Sequence, residues 1–325
     1  MTLDAKIRAI LDAGKALGRP PVEQQTPEEA RAERAEMMAR FVPMPEYADV
    51  RVADRAIAAL GIDARTIAAA AGREIGVRVF TPARVGLLPV VVFFHGGGWV
   101  AGTLETHDPY CRALAKEAGV VVVAVDFRLA PEHKFPAGLE DCVAVTEWVL
   151  EHAGELGGDG SRVMVGGDSA GGTLATVVAL LLRDKGVGGL AGQILLYPAA
   201  AYYDPPTASY LENAEGYGLT RRGMIWFWDH YLKDRSEAAD FRVAPLLAGS
   251  LAGLPRAFVV TAEYDVLRDE GQAYARRMEA DGVEVTHLFA EGMNHGFAAS
   301  ANEFPLLPQA KEMLRRVAEW VKAGG

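Results

Sequence analysis

Cysteine is scarce in this chain: Cys111 and Cys142 are the only two in 325 residues. Two thiols cannot build a disulfide framework, and nothing resembles a Cys/His zinc spacing. A single disulfide stays open, while free thiols would suit a reducing compartment. Positive charge is also short, with 33 Lys and Arg against 43 Asp and Glu and a formal net charge of -10. Such a surface repels nucleic acid and anionic membrane, so neither is an expected partner. Long apolar runs are missing too. Residues 87–94, interrupted by Pro89, fall far short of the roughly 20 needed for a membrane span. The first twenty residues read as an amphipathic helix and not as a signal peptide, so the cytoplasm is the expected location.

What is present is ordinary globular material, half hydrophobic and under a quarter charged, enough for one large α/β domain with a smaller attachment. Residues 3–17 and 27–41 have helical character. Thr26-Pro27-Glu28 supplies a cap, a proline at the first helical position and an acid in the first turn. Strands follow at 51–56, 76–80, 90–94, 120–126, 162–166, 193–197, 257–262 and 284–289. Helices at 109–117, 137–153, 173–185 and 307–323 alternate with them. Continuous apolar strands between helices predict a mainly parallel sheet covered on both faces. The alternation breaks at 200–240, where Pro205, Pro206 and an aromatic helix at 221–233 intervene. The expected organisation is a core at 48–199 and 241–325, with cap pieces at 1–47 and 200–240.

Gly167-Asp168-Ser169-Ala170-Gly171 fits G-x-S-x-G between an apolar strand and a helix. A tight strand-to-helix turn lifts the serine hydroxyl clear of the sheet, where the helix start favours developing negative charge. The pattern alone arises by chance in many chains. A phosphate loop would need Gly-Lys-Ser/Thr and a dinucleotide site G-x-G-x-x-G, and both are absent. His95-Gly96-Gly97-Gly98-Trp99 follows the strand ending at Phe94. Bare glycine backbone approaches a substrate closely, and losing one N–H aimed at an oxyanion costs roughly 3–4 kcal/mol. The N–H groups of Gly97, Gly98 and Ala170 are the expected oxyanion hole, with His95 tying the loop down.

The chain order expected with such a nucleophile is serine, acid, histidine. Only His230, His287 and His295 follow Ser169. His230 falls in the aromatic helix and His287 inside a strand, whereas His295 lies in a glycine-flanked loop past a strand end, where function concentrates. Glu263, Asp265, Asp269 and Glu270 follow the strand at 257–262. Asp265 is best placed, since acids at 269 and 270 suit a first helical turn for dipole reasons alone. Asp265 would fix the imidazole tautomer and stabilise its cation.

These motifs, together with Asp126-Phe127-Arg128-Leu129-Ala130-Pro131-Glu132-His133, Asp265-Val266-Leu267-Arg268-Asp269-Glu270 and His295-Gly296-Phe297, resemble the bacterial hormone-sensitive-lipase family of carboxylesterases. The likeness runs from about Val77 to the C-terminus. Val266 departs from it, standing where proline is more usual. The resemblance implies an α/β-hydrolase fold with eight strands, no cofactor, hydrolysis of short to medium acyl esters, and a homodimer; the residues themselves offer no metal constellation, and the chemistry needs none. Arg128 and Glu132 read as structural. Phe41, Trp99, Tyr202, Leu219, Trp226 and Phe227 are the expected lining of a pocket for a small-molecule ester, although aromatics at helical spacing are more often core. An amidase, arylformamidase or lactonase would share the triad, and a receptor on this fold would lack the histidine.

Overall fold

The computed structural model describes residues 2–39, 44–58, 74–300, 304 and 306–324. Two helices come first, α1 (Ala5–Ala16) and α2 (Pro27–Ala39). The start of α2 follows from its sequence: Thr26 Oγ1 accepts the Glu29 N–H at 3.2 Å, and the Glu29 carboxylate accepts the Thr26 N–H at 2.8 Å. This reciprocal cap satisfies two donors that the first turn leaves open. Then come β1 (Arg51–Ala58), β2 (Glu74–Thr81), β3 (Leu88–Phe94), α3 (Leu104–Leu114), β4 (Val121–Asp126), α4 (Ala137–His152), β5 (Gly158–Asp168), α5 (Ala170–Asp184) and β6 (Leu190–Leu196). After these the chain forms α6 (Ala208–Glu212), α7 (Arg221–Tyr231), β7 (Ala257–Tyr264), α8 (Arg268–Ala280), β8 (Val285–Asn294) and α9 (Pro308–Ala323).

The eight strands form one sheet in the order β1-β2-β4-β3-β5-β6-β7-β8. β2 runs antiparallel to β1 and β4, and the pairs from β4 to β8 are parallel. The unbroken apolar run of β3 has a simple cause. Val90, Val92 and Phe94 point into the core on one face, with Leu139 of α4 and Leu174 of α5. Val91 and Phe93 point into the core on the other, with Tyr110 of α3 and Val317 of α9. A strand covered on both sides has no polar alternation left to show. Each such side chain contributes roughly 1.5–3 kcal/mol by leaving water.

Several boundaries differ from those expected, β5 beginning at Gly158 and β8 running on to Asn294, and the start of α3 moves for a plain reason. The third helix begins at Leu104, not at Pro109, because Thr103 and Thr106 cap it reciprocally. Pro109 then lies inside the helix. Cys111 and Cys142 are buried free thiols. Among the described residues no helix is long and apolar enough to cross a membrane.

The N-terminal helices are tied to the sheet's loops through Arg31. Its guanidinium donates to the carbonyls of Val100 and Ala130 and pairs with the Glu132 carboxylate at 2.7 Å. That pairing holds the Glu132 carboxyl down at about 2. A depressed carboxyl stabilises the fold above its ordinary range near 4.5, and the contribution disappears as pH falls towards 2. Replacing Arg31 by Ala should therefore destabilise the protein by about 1–2 kcal/mol at neutral pH. The gap from wild type in urea unfolding should narrow as the pH is lowered through that window. A gap that does not change with pH would remove the ion pair from the account.

Candidate active site

Five strand ends on one edge of the sheet carry the polar groups. Register places them. Phe94 of β3 is paired with Gly167 of β5, so the loop starting at His95 lies beside the turn at Ser169. Tyr264 of β7 is paired with Asn294 of β8, so the next residues on each strand, Asp265 and His295, emerge side by side.

Ser169 joins β5 to α5 with φ 56° and ψ -122°, a left-handed conformation that side chains other than glycine rarely adopt. The turn is sharp enough that the Gly171 backbone crosses the Phe94 carbonyl, and a Cβ at Gly171 would run into that oxygen. Here Ser169 Oγ stands 2.8 Å from Nε2 of His295. The other ring nitrogen, Nδ1, lies 2.7 Å from Oδ2 of Asp265. Asp265 is 1% exposed, and its Oδ1 accepts the Leu267 N–H at 2.9 Å. Tyr197, fully buried at the end of β6, sets its ring against the imidazole at 4.8 Å and accepts the Ala299 N–H through its hydroxyl.

The glycine loop is clamped from beneath. Asp168 Oδ1 accepts the Gly96 N–H at 2.8 Å and pairs with His107 Nε2 at 3.1 Å. Burial pushes the Asp168 carboxyl up, but His107 and the Gly96 N–H more than offset this, leaving it lowered and ionised. The His95 ring stacks on Phe127 at 4.3 Å and bonds the Gly96 carbonyl. Burial, reinforced by His107, holds His95 down at about 3, so it is neutral in use. Gly97 turns the loop at φ 122°, in a space where a Cβ would meet the Ala101 carbonyl. The N–H groups of Gly97 and Gly98 have no acceptor among the described residues, and Ala170 opens α5, where helical N–H groups are free.

Ser169 and His295 open into a cavity of 710 Å³ whose wall includes Trp99, Leu219, Met224 and Phe227. Of the residues expected to line a pocket, Trp99, Leu219 and Phe227 are in this wall. Tyr202 and Trp226 do not line it. Tyr202 packs on Tyr203 and Trp228, and Trp226 packs on His230 and Phe227. Phe41 lies outside the described residues. Several supports went unseen in the sequence. Asn213, just past α6, donates to the main-chain carbonyls of Glu263 and Asp265 at 3.2 and 3.1 Å, and Ser209 donates to Val266. A short polar helix inside an insertion gives no sequence sign that it clasps the acid loop. Glu270 accepts the Ala200 and Ala201 N–H groups, and burial raises its carboxyl. Among the described residues no group of three His, Cys, Asp or Glu is arranged to hold a metal ion.

A serine, imidazole and carboxylate in hydrogen-bonded series on the strand ends of such a sheet define the α/β-hydrolase class of protein. Comparison with known proteins agrees: the family described as having the alpha/beta hydrolase fold matches residues 91–299. The chain belongs to this family, in its hormone-sensitive-lipase-like branch. The carboxylic ester hydrolase LipN of Mycobacterium tuberculosis is 44% identical over 230 residues, spanning 69% of this chain and 61% of LipN. The carboxylesterase NlhH of the same organism is 44% identical over 256 residues, 77% of this chain and 80% of NlhH. A thermostable esterase from Pseudomonas putida superposes with a TM-score of 0.91 at 38% identity, covering 99% of this chain and 98% of that one.

Proposed function

We propose that this chain, a serine hydrolase acting on carboxylic ester bonds, works through Ser169 as nucleophile, His295 as base and Asp265 as the group that orients the base. The observation that supports this most is the imidazole bridging hydroxyl and carboxylate at 2.8 and 2.7 Å. In the first step His295 Nε2 takes the hydroxyl proton as Ser169 Oγ attacks the ester carbonyl. The charge that develops on the former carbonyl oxygen is met by the free N–H groups of Gly97, Gly98 and Ala170. The protonated imidazole, stabilised by Asp265, gives its proton to the leaving alcohol, and an acyl-enzyme forms. Water attacks that ester with His295 again as base, and the free acid leaves.

Residues 1–47 and 200–240 form a cap over this site in the proposed organisation, supplying α1, α2 and α7 to the cavity wall. Short to medium acyl chains suit a mostly apolar cavity within the range that holds small ligands. The test combines turnover with labelling. Purified protein should hydrolyse p-nitrophenyl esters from acetate to octanoate faster than matched amides and lactones. A fluorophosphonate should stop the activity and be found on Ser169 by peptide mass spectrometry. Labelling elsewhere, or amide turnover exceeding ester turnover, would defeat the proposal.

A further inference from the structure

Helix α2 carries two arginines one turn apart, and they are used differently. Arg31 has its acceptors in the Val100 and Ala130 carbonyls and in Glu132. Arg34 is half-buried and stands in the wall of the cavity that holds Ser169. Among the described residues its guanidinium has no hydrogen-bond or ion-pair partner.

The two acids whose charge reaches Arg34 are already engaged. Asp168 holds the Gly96 N–H and His107. Glu33 is taken by Arg19 at 3.5 Å and by Gln25 at 2.7 Å. Both carboxylates pull the Arg34 guanidinium upward from a distance, yet burial outweighs them and its affinity for the proton is lowered. A cation drawn partly out of water without a bonded counter-charge is an unfavourable arrangement unless something else completes it. A guanidinium presents a planar fork of donors that matches a carboxylate in two parallel hydrogen bonds. Lys15 and Arg19 stand in the same wall, as does Glu23, whose Oε2 is buried without a partner.

We infer that Arg34 is the anion-recognising group of the substrate cavity and that the preferred esters carry a carboxylate on the part remote from the scissile bond. This inference rests on the esterase reading of the same site. It names a substrate class, esters bearing a free acid such as half-esters of dicarboxylic acids or acylated hydroxy acids. Arg34 binds the remote carboxylate while Ser169 attacks the ester.

Matched pairs test it by exchanging one terminal methyl for a carboxylate. On the acyl side the pair is p-nitrophenyl pentanoate and p-nitrophenyl hydrogen glutarate. On the alcohol side it is pentyl acetate and ω-acetoxypentanoate, with a trimethylammonium analogue as the cationic control for Glu23. The readout is the ratio of kcat/KM within each pair. Wild type should favour the acid-bearing ester in one arm, and that arm tells which half of the substrate reaches Arg34. In Arg34→Gln the ratio should fall by about tenfold or more, since one charged hydrogen-bonded contact is lost. Arg34→Met, which keeps the length of the stem, should behave alike and serves if the first variant folds poorly. A wild-type preference for the neutral or cationic ester in both arms overturns the inference whatever the variants do. So does a ratio unmoved in Arg34→Gln or Arg34→Met. If wild type cleaves none of these esters, the failure belongs to the esterase reading instead.

Discussion

Ser169→Gly and Ser169→Ala should be equally inactive, and Ser169→Gly should be the more stable of the two. Removing the hydroxyl takes away the attacking atom, and turnover should fall by roughly 10⁴- to 10⁶-fold, as it does when a nucleophile acting as one unit with its base is deleted. Ser169→Ala should lose as much, because it lacks the same atom. The two differ in backbone. Ser169 sits at φ 56°, and holding a side chain in such a region costs of order 1–3 kcal/mol. Alanine keeps the Cβ and keeps that strain, whereas glycine is released from it. Glycine also has a more flexible unfolded chain, at a cost of roughly 0.5–1 kcal/mol. The first effect exceeds the second, so Ser169→Gly should melt above Ser169→Ala by about 1–3 °C. Thermal denaturation of the pair checks this. Equal melting temperatures would mean that the turn is not strained by its side chain. Substantial esterase turnover in either variant would remove Ser169 from the chemistry.

Much of this site could be read in the sequence because its parts are short and their order is constrained. Glycines around Ser169 and after His95 mark places where backbones nearly touch, and the Phe94 carbonyl against Gly171 shows why no larger residue fits there. Apolar runs such as Val90 to Phe94 mark strands that are buried on both sides. The cavity wall was harder to read. Helix α7 is aromatic around most of its circumference, so spacing alone cannot say which ring faces substrate. Phe227 lines the cavity, Trp228 and Tyr231 pack on Trp99, and Trp226 packs on His230. The start of α3 escaped because the Thr103–Thr106 cap has no acid at its third position and Pro109 offered a more familiar signal. Arg34 escaped for a different reason. On the surface of α2 it is one of several charged residues, and its lack of a partner is a property of three dimensions.

Asp265→Asn is the sharper test of the base. The substitution is nearly isosteric, so the buried site should stay packed. The new amide has one oxygen and one NH2, and the surroundings choose between its two orientations. The position of Oδ1 receives the Leu267 N–H at 2.9 Å and must therefore be the oxygen. The NH2 then faces His295 Nδ1 where Oδ2 now stands at 2.7 Å. Two donors cannot share that contact, so Nδ1 must become the acceptor and the ring proton must move to Nε2. In that tautomer Nε2 points a hydrogen at Ser169 Oγ and can no longer take its proton. The lost negative charge also leaves the imidazolium of each step without its counter-charge. Together these should lower kcat by about 10⁴-fold, with binding of a non-hydrolysable substrate analogue little affected. Asp265→Ala removes both contacts and leaves the Leu267 N–H unmatched in the interior, so it should lower stability as well as activity. Turnover within tenfold of wild type in Asp265→Asn, with the fold intact, would show that the carboxylate does not set the tautomer and that the base is oriented from elsewhere, for instance by the Tyr197 ring against which it rests.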